Sequence, residues 1–276
     1  NADPFYLKTK ALIRLAFLAA TAAWLVMVFS DVTVIFSELK GLTADSPWLP
    51  RLMLDLYVIG LYYYYKLKIE RDESLNFTDL LWRVFATGLV AIVISLALRM
   101  LDFLLGATSL ASNVFFLDIE YLINLGLLIS FLVAAATCWK RLILYQKSKW
   151  LIRGWLVFEL ALLLVLLSDN LRFPIDEWIL TTISIVTGLL ALVLSANMKW
   201  VAYLNFKQKW TSLLLLLLSL FYLVYFLFTV NRFSDQIRMQ TEVFLDFPEH
   251  IFNVYLYSFV MLYSIFSFLV ILFNLP

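Results

Sequence analysis

The sequence holds little that could cross-link the chain, bind a metal or carry out catalysis. A single cysteine, Cys138, can form no internal disulfide. A single histidine, His250, excludes a bis-histidine haem and does not favour a zinc site. The sequence contains no His-Glu-x-x-His motif, no Gly-x-Ser-x-Gly elbow, no P-loop and no cluster of aspartates. We therefore expect no cofactor, no metal site and no catalytic residue in this chain.

Charged residues are also scarce. They make up 15% of the 276 residues, against about 25% in an average soluble domain, whereas hydrophobic residues make up 63%. The net charge is +1, so the chain has no basic surplus with which to neutralise a nucleic-acid backbone. This composition predicts a protein whose solvent is the lipid bilayer, and it excludes nucleic acid as a partner.

Long apolar runs predict an all-α, polytopic bundle of about eight transmembrane helices. A helix needs about 20 mainly apolar residues to cross a hydrocarbon core about 30 Å thick, and irregular backbone cannot face lipid. The second predicted span is the weakest, because its apolar run is short and Asp55 lies near one end; the alternative is a re-entrant or interfacial segment. The predicted spans are 11–36, 52–69, 80–105, 119–139, 151–167, 175–200, 212–230 and 251–274.

Lysine and arginine are shared unevenly between the two sets of alternate loops. Most of the 21 basic residues fall on the side that carries the N-terminus and the segments near 66–83, 140–153 and 199–209, and such positive loops stay in the cytoplasm. Acidic residues collect at the opposite, outer side. The pattern predicts that both termini are cytoplasmic and that residues 1–276 form a single transmembrane domain.

Tryptophan and lysine recur together on the cytoplasmic side. Lys-Ser-Lys-Trp at 147–150 has a counterpart in Lys-Gln-Lys-Trp at 207–210, and a further tryptophan precedes each motif, at Trp139 and Trp200. We interpret these four tryptophans, together with Trp155, as rings at headgroup level. One explanation is that lysine and tryptophan are each favoured at the membrane interface, so that the two motifs arose independently. The alternative is a weak parallel repeat of two helix hairpins, 139–200 and 200–274.

Ionisable residues inside the predicted spans are the candidate functional groups, since each costs at least about 2.5 kcal/mol near the bilayer centre. Glu159 lies near mid-depth in the fifth span and is either a proton or cation site or a structural, protonated carboxyl. We favour the structural role, because no second carboxylate lies at that depth. Asp31 lies toward the outer third of the first span, and Arg99 and Asp102 form an i, i+3 pair at the outer end of the third. We expect these three residues to join polar contacts beneath the outer loops.

Residues 231–249 form the longest predicted outer segment. Arg232, Asp235, Arg238 and Glu242 follow one another at i, i+3 or i+4 spacing, which lets opposite charges support a short helix. We predict a surface helix here that covers the outer ends of the seventh and eighth spans and acts as a lid over a ligand site.

Two cytoplasmic segments carry a family resemblance: Cys-Trp-Lys-Arg-Leu-Ile-Leu-Tyr-Gln-Lys at 138–147 and Asn-Met-Lys-Trp-Val-Ala-Tyr-Leu-Asn-Phe-Lys at 197–207. They are similar to loops in the multi-pass N-terminal region of bacterial membrane-bound SpoIIE-like (PP2C-type) serine phosphatases. The resemblance covers most of the chain. It implies a bacterial inner (cytoplasmic) membrane location and a soluble GAF and phosphatase region after the last span. It assigns no catalytic residue here, because that domain's metal-binding aspartates would lie beyond Pro276.

Together these features favour a membrane-embedded sensory or anchoring module of a bacterial signalling protein, without catalysis of its own. No basic residue anchors the inner end of the eighth span, so we expect the native chain to continue past Pro276 into a cytoplasmic effector. The expected partners are the lipid bilayer and either a second copy or other membrane subunits.

Two other functions stay open: a small-solute or proton-coupled transporter that uses Glu159, and an accessory subunit of a larger membrane complex. A sensor predicts a polar pocket at the outer end. A transporter predicts a polar cavity around Glu159, and an accessory subunit predicts a wide apolar face for partner helices.

Overall fold

Long helices make up most of the structure, a computed structural model that describes residues 4–42, 48–72, 75–171, 174–246 and 250–276. These ranges contain eight α-helices, two short 3₁₀ helices and no strand, which confirms the predicted all-α class. The α-helices are α1 (Pro4–Leu39), α2 (Trp48–Glu70), α3 (Phe77–Leu105), α4 (Val114–Ile143), α5 (Lys149–Leu171), α6 (Glu177–Ser195), α7 (Phe206–Arg238) and α8 (Ile251–Phe273). The 3₁₀ helices are Ser109–Ser112 and Lys199–Tyr203.

Seven of these helices are long and apolar enough to cross a membrane, within the described part of the chain. The exception is α2, whose run of tyrosines, together with Asp55, Lys66 and Lys68, makes it more polar than the rest. It is nevertheless one continuous helix of 23 residues, about 34 Å long at 1.5 Å per residue. A re-entrant segment would need a break that this helix lacks. The chain is therefore a multi-pass, membrane-embedded bundle.

Asparagine side chains begin two of the helices. The Asn113 side chain accepts the backbone N–H of Phe115 at 2.9 Å at the start of α4. At the start of α7, Asn205 and Gln208 bond to each other's backbone N–H groups at 2.8 and 3.0 Å, which is a capping box. Because the first N–H groups of a helix have no partner within the helix, these side chains determine where each helix starts.

The central helix of the bundle is α4. Buried residues make up 78% of its membrane-spanning stretch, against 50% in α7 and at most 39% in the other spans. It contacts α1, α2, α3, α7 and α8. Helix α6 does not pack against α4 in this way and instead packs against α5 and α8 at the periphery of the bundle. We call the end of the bundle where α1, α3, α5 and α7 finish the outer end, following the charge pattern, and the opposite end the inner end.

A close approach at Gly126 fastens α1 and α2 to α4. The Trp24 indole N–H donates to the Leu122 carbonyl at 3.1 Å, and the Tyr57 hydroxyl donates to the Gly126 carbonyl at 2.7 Å. A Cβ atom at Gly126 would lie 2.8 Å from Trp24 Nε1, so a larger residue there would push the indole away. Helix contacts in this bundle thus use polar aromatic side chains as well as apolar packing.

Two expectations about helix ends and tryptophans were wrong. Residues 231–238 continue α7 rather than forming a separate surface helix, because the helical backbone hydrogen bonds of α7 continue past Val230 to Arg238; residues 247–249 lie outside the described residues. Trp139, Trp155 and Trp200 are buried in the core and not at headgroup level, whereas Trp150 and Trp210 are exposed, as expected for interfacial rings. The first and third of the buried indoles pack at Tyr263 of α8, and Trp155 packs against Phe158 and Phe259, so all three are withdrawn from the interface.

Candidate functional site

Four carboxyl groups are buried in the outer half of the bundle. Asp31, Asp55, Asp118 and Glu120 are each at most 1% exposed. Ionisable groups in a membrane helix are costly and usually functional. The outer half of the bundle is therefore the first candidate for a functional site.

A chain of hydrogen bonds connects α3, α4 and α7 in this half. The Ser95 hydroxyl donates to the side-chain oxygen of Asn124, which leaves the Tyr225 hydroxyl to donate to Ser95 at 2.8 Å. The Asn124 amide donates in turn to the backbone carbonyl of Glu120 at 2.9 Å. A polar network that spans three helices fixes their relative positions, because every member depends on its neighbour.

A small polar cavity of about 10 Å³ lies next to this network, between the same three helices. Arg99, Asp102 and Arg232 all line it, so the structure brings the predicted Arg99 and Asp102 pair together with Arg232, which the sequence assigned to the lid. The volume is near the lower limit for one water molecule. The Glu120 carboxyl lies beside the Asp102 carboxyl and is attracted electrostatically by the Arg232 guanidinium. Neither of its oxygens accepts an N–H group from the described residues. The site can thus hold a proton or a water between acidic and basic groups.

Besides the pair formed by Glu120 and Asp102, a second pair of carboxyl groups, Asp31 and Asp118, holds the segment that follows α7. The buried carboxyl groups of Asp31 and Asp118 lie side by side. Asp31 accepts the backbone N–H of Leu245 at 3.0 Å, and the carbonyl of Leu245 accepts the Tyr121 hydroxyl at 2.7 Å. Asp31 therefore does join a polar contact beneath an outer segment, as the sequence predicted. We call residues 241–246 the outer cap.

The four residues of the predicted lid lie in three places. Arg232 lines the small polar cavity, whereas Arg238 bonds Asp235 at 3.2 Å and Asp246 of the outer cap at 2.6 Å. Glu242 is exposed beyond the end of α7. These charges thus tie the outer cap to the last turn of α7 instead of supporting a helix of their own.

Further polar contacts lie where α2, α5 and α8 meet at the outer end. The Asn170 amide donates to Asp55, and Asp169 accepts the backbone N–H of Phe252 at 2.9 Å at the start of α8. Burial lowers the pKa of His250, which directly precedes α8, to about 4, so this imidazole is neutral at pH 7. The outer ends of α2, α5 and α8 are therefore linked by the hydrogen bonds of Asp55 and Asp169, and a neutral His250 adds no positive charge to these contacts.

Glu159 lies near the middle of α5, and its hydrogen bonds go to groups in the inner halves of α2, α4 and α5. One of its carboxyl oxygens accepts the Tyr62 hydroxyl of α2, the Trp155 indole N–H of its own helix and the Lys140 ammonium of α4 at 3.1 Å. Three donors on one oxygen suit an ionised carboxylate, because a protonated carboxyl would itself need an acceptor. Glu159 does bond to neighbouring helices, and its salt bridge to Lys140 favours a charged structural group over a protonated one.

A larger cavity, of about 280 Å³, lies beside Glu159 between α2, α4, α5 and α8. Its lining is apolar except at its inner end, where Tyr62, Tyr63 and Lys66 face it together with Glu159. A transporter that uses Glu159 predicts a polar cavity here. The apolar lining and the existing salt bridge do not favour that use.

Sequence reasoning missed several of these groups. In the sequence, Asp118 and Glu120 are acids near the predicted outer boundary, and their burial follows only from the central position of α4. The Asp55–Asn170 and Ser95–Asn124 contacts join distant parts of the chain, so the sequence does not reveal them. The available signal was the polarity of the outer part of α4, which carries two acids and Asn124 although most of its circumference is buried.

Comparisons with protein-family models, with curated proteins and with solved structures find no match to this chain. Its function has therefore to be inferred from the geometry of its own residues.

Proposed function

We propose that this chain is the membrane-embedded sensory module of a bacterial signalling protein, joined to a cytoplasmic PP2C-type effector beyond Pro276. The observation that supports the proposal best is the polar cavity at the outer end, where Arg99, Asp102 and Arg232 meet beside the buried Glu120. Charged groups placed there respond to a proton, an ion or a polar solute, because any of these changes the balance of charge among them.

The path from the outer to the inner end is the hairpin of α7 and α8. Arg232 lies on α7, so a shift at the cavity acts directly on this hairpin. Tyr257 of α8 donates to the Leu223 carbonyl of α7 at 2.8 Å, and Lys209 of α7 donates to the Asn274 carbonyl just after α8 at 2.9 Å. At the outer end, Ser234 of α7 donates to Asp246 of the outer cap at 2.9 Å. Elements bonded in this way move together, which supports α8 as the route to the effector.

The proposal also gives the outer cap a role. It bonds to α1 through Asp31 and Glu38 and to α4 through Tyr121. A change in the protonation or hydration of the carboxyl pairs would alter how firmly the outer cap holds α7 to α1 and α4. Such a two-state contact is what converts a local change of charge into a movement of helices.

The effector activity of the full-length protein in membranes tests the proposal. We expect Arg232→Gln and Asp102→Asn to change the hydrolysis of p-nitrophenyl phosphate at least severalfold. Lys40→Gln removes a positive charge at the same end but away from the cavity, and it should leave the rate unchanged. Equal rates in all variants would reject the sensory role. A stop codon directly after Pro276, with a native mass near that of these 276 residues, would leave the transporter and accessory-subunit alternatives.

A further inference from the structure

The large cavity beside Glu159 opens toward the surroundings of the bundle. Three of its lining residues on α5 are partly exposed: Leu156 at 55%, Leu160 at 53% and Leu163 at 38%. The α4 residues at its floor, Val133 and Ala136, are small, which leaves the space between α2 and α5 unfilled. A cavity with this opening is accessible from the hydrocarbon region of a bilayer.

The length of the cavity matches half a membrane. Its lining on α5 runs from Trp155 to Leu166, which is about 16 Å at 1.5 Å per residue. The hydrocarbon core of a bilayer is about 30 Å thick, so each leaflet contributes about 15 Å. The lining on α5 is centred on the middle of that helix, and Phe252 and Leu256 line the cavity near the outer end of α8. An acyl chain that enters from the inner end would therefore run along the cavity past mid-depth.

Only one end of the cavity carries charge. Lys140 and Glu159 neutralise each other there at 3.1 Å. Lys66 lies 5.8 Å from the centre of the Tyr62 ring and makes no salt bridge with any residue in the described ranges. Lys66 is thus the cation that remains for an anionic group at this end, and its long side chain can reach headgroup level. Exposed Tyr63 beside it offers a hydroxyl.

We propose that the cavity between α2 and α5 binds one acyl chain of an anionic phospholipid from the leaflet at the inner end, with Lys66 contacting its headgroup. The bound chain fills the gap beside α4 and packs against α8 through Phe252 and Leu256. The lipid thereby becomes part of the contact between α5 and α8. This site does not depend on the proposed signalling role.

Native mass spectrometry of the purified full-length protein tests the site, with phosphatidylglycerol and phosphatidylcholine of identical acyl chains as probes. We expect one phosphatidylglycerol to bind more tightly than phosphatidylcholine, by about fivefold for one lysine. Lys66→Gln should remove that preference. Lys68→Gln is the matched control, because Lys68 lies two residues along the same helix and bonds the Tyr64 hydroxyl instead of lining the cavity.

A second pair of variants tests where the acyl chain lies. Leu163→Phe fills the cavity and should reduce the binding of both lipids at least tenfold. Leu164→Phe makes the same change at the next residue, which is exposed and does not line the cavity, and it should bind as the unmodified protein does. Equal affinity for the two lipids in the unmodified protein, a preference that survives Lys66→Gln, or equal binding by the two phenylalanine variants would each overturn the proposal.

Discussion

The outer and inner halves of the bundle both hold carboxyl groups between helices, but they surround them differently. The side chain of Glu159 is 22% exposed, and it accepts three donors from the inner halves of α2, α4 and α5, one of them the Lys140 ammonium. In the outer half, Asp118 and Glu120 accept no N–H group from the described residues, and each faces a second carboxyl group, Asp31 and Asp102 respectively. The same kind of group is thus satisfied at one end and left incomplete at the other.

This difference separates structure from function. A buried carboxylate with its donors in place rigidifies the helices that supply them. A buried carboxyl without donors remains costly, and such groups persist where a protein uses a proton, a water or an ion. The inner site therefore holds α2, α4 and α5 together, whereas the outer groups are free to respond to a change in their surroundings.

The largest expected effect concerns which end is outside. Reporter fusions after Tyr145 and Phe206 should be cytoplasmic, and fusions near Ser109 and Gln240 should be external, because basic residues are concentrated on the first pair's side. Alkaline phosphatase and green fluorescent protein report the two locations with opposite, all-or-none signals. A cytoplasmic Gln240 would show that the end called outer faces the cytoplasm. The cavity lined by Arg99, Asp102 and Arg232 could then not sense an external signal.

The next effect is on the inner carboxylate. Glu159→Leu leaves the Lys140 ammonium and the donors of Tyr62 and Trp155 without an acceptor, so we expect it to lower the free energy of unfolding by about 2–3 kcal/mol. Glu159→Gln keeps an acceptor but loses the charge, and it should cost about 1 kcal/mol. Thermal unfolding in detergent measures both.

The double variant Lys140→Leu with Glu159→Leu is the control, since removing both charges leaves no unpaired ammonium. It should be more stable than Glu159→Leu alone. A Glu159→Leu protein as stable as the unmodified one would show that the salt bridge contributes nothing.

The number and order of the helices could be predicted from sequence because lipid permits few alternatives. Any long apolar segment must satisfy its backbone internally, so composition alone indicates a helix. The end of α7 could not be placed in this way, because beyond Val230 the helix continues through a stretch rich in polar residues, which carries no hydrophobic signal for a span. The short 3₁₀ helix Lys199–Tyr203 similarly replaces the predicted inner end of the sixth span.

The sites were only partly predictable, for a different reason. Glu159, Asp31, Arg99 and Asp102 are visible as charges within apolar runs, but their partners lie on other helices. Glu159 meets Tyr62 across 97 residues of sequence, and Asp31 meets Leu245 across 214. Helical periodicity describes which residues share a face of one helix and carries no information about which faces meet.

A smaller effect tests the buried aromatic contacts of the inner half. Tyr263→Phe removes the acceptor of the Trp200 indole N–H at 2.9 Å and a bond to the Asn197 carbonyl at 3.2 Å, so we expect a loss of about 1–2 kcal/mol. Trp210→Phe changes an exposed ring and should alter the melting temperature by no more than the error of the measurement. Equal effects of the two variants in thermal unfolding would contradict the burial of Trp200.

The smallest expected effect has the opposite sign, at the outer carboxyl pair. Asp118→Asn replaces one of two adjacent carboxyl groups by an amide of the same shape, whose N–H can donate to Asp31 without placing two acids side by side. We expect a gain in unfolding free energy on the order of 0.5–1 kcal/mol, whereas Glu159→Gln, the same chemical change at the inner end, destabilises. Asp118→Ala is the control, because it shortens the side chain without supplying a donor and should destabilise. If Asp118→Asn instead lowers the melting temperature as Glu159→Gln does, the outer carboxyl is charged and paired with a bound cation or ordered water, and the two halves satisfy their buried acids in the same way.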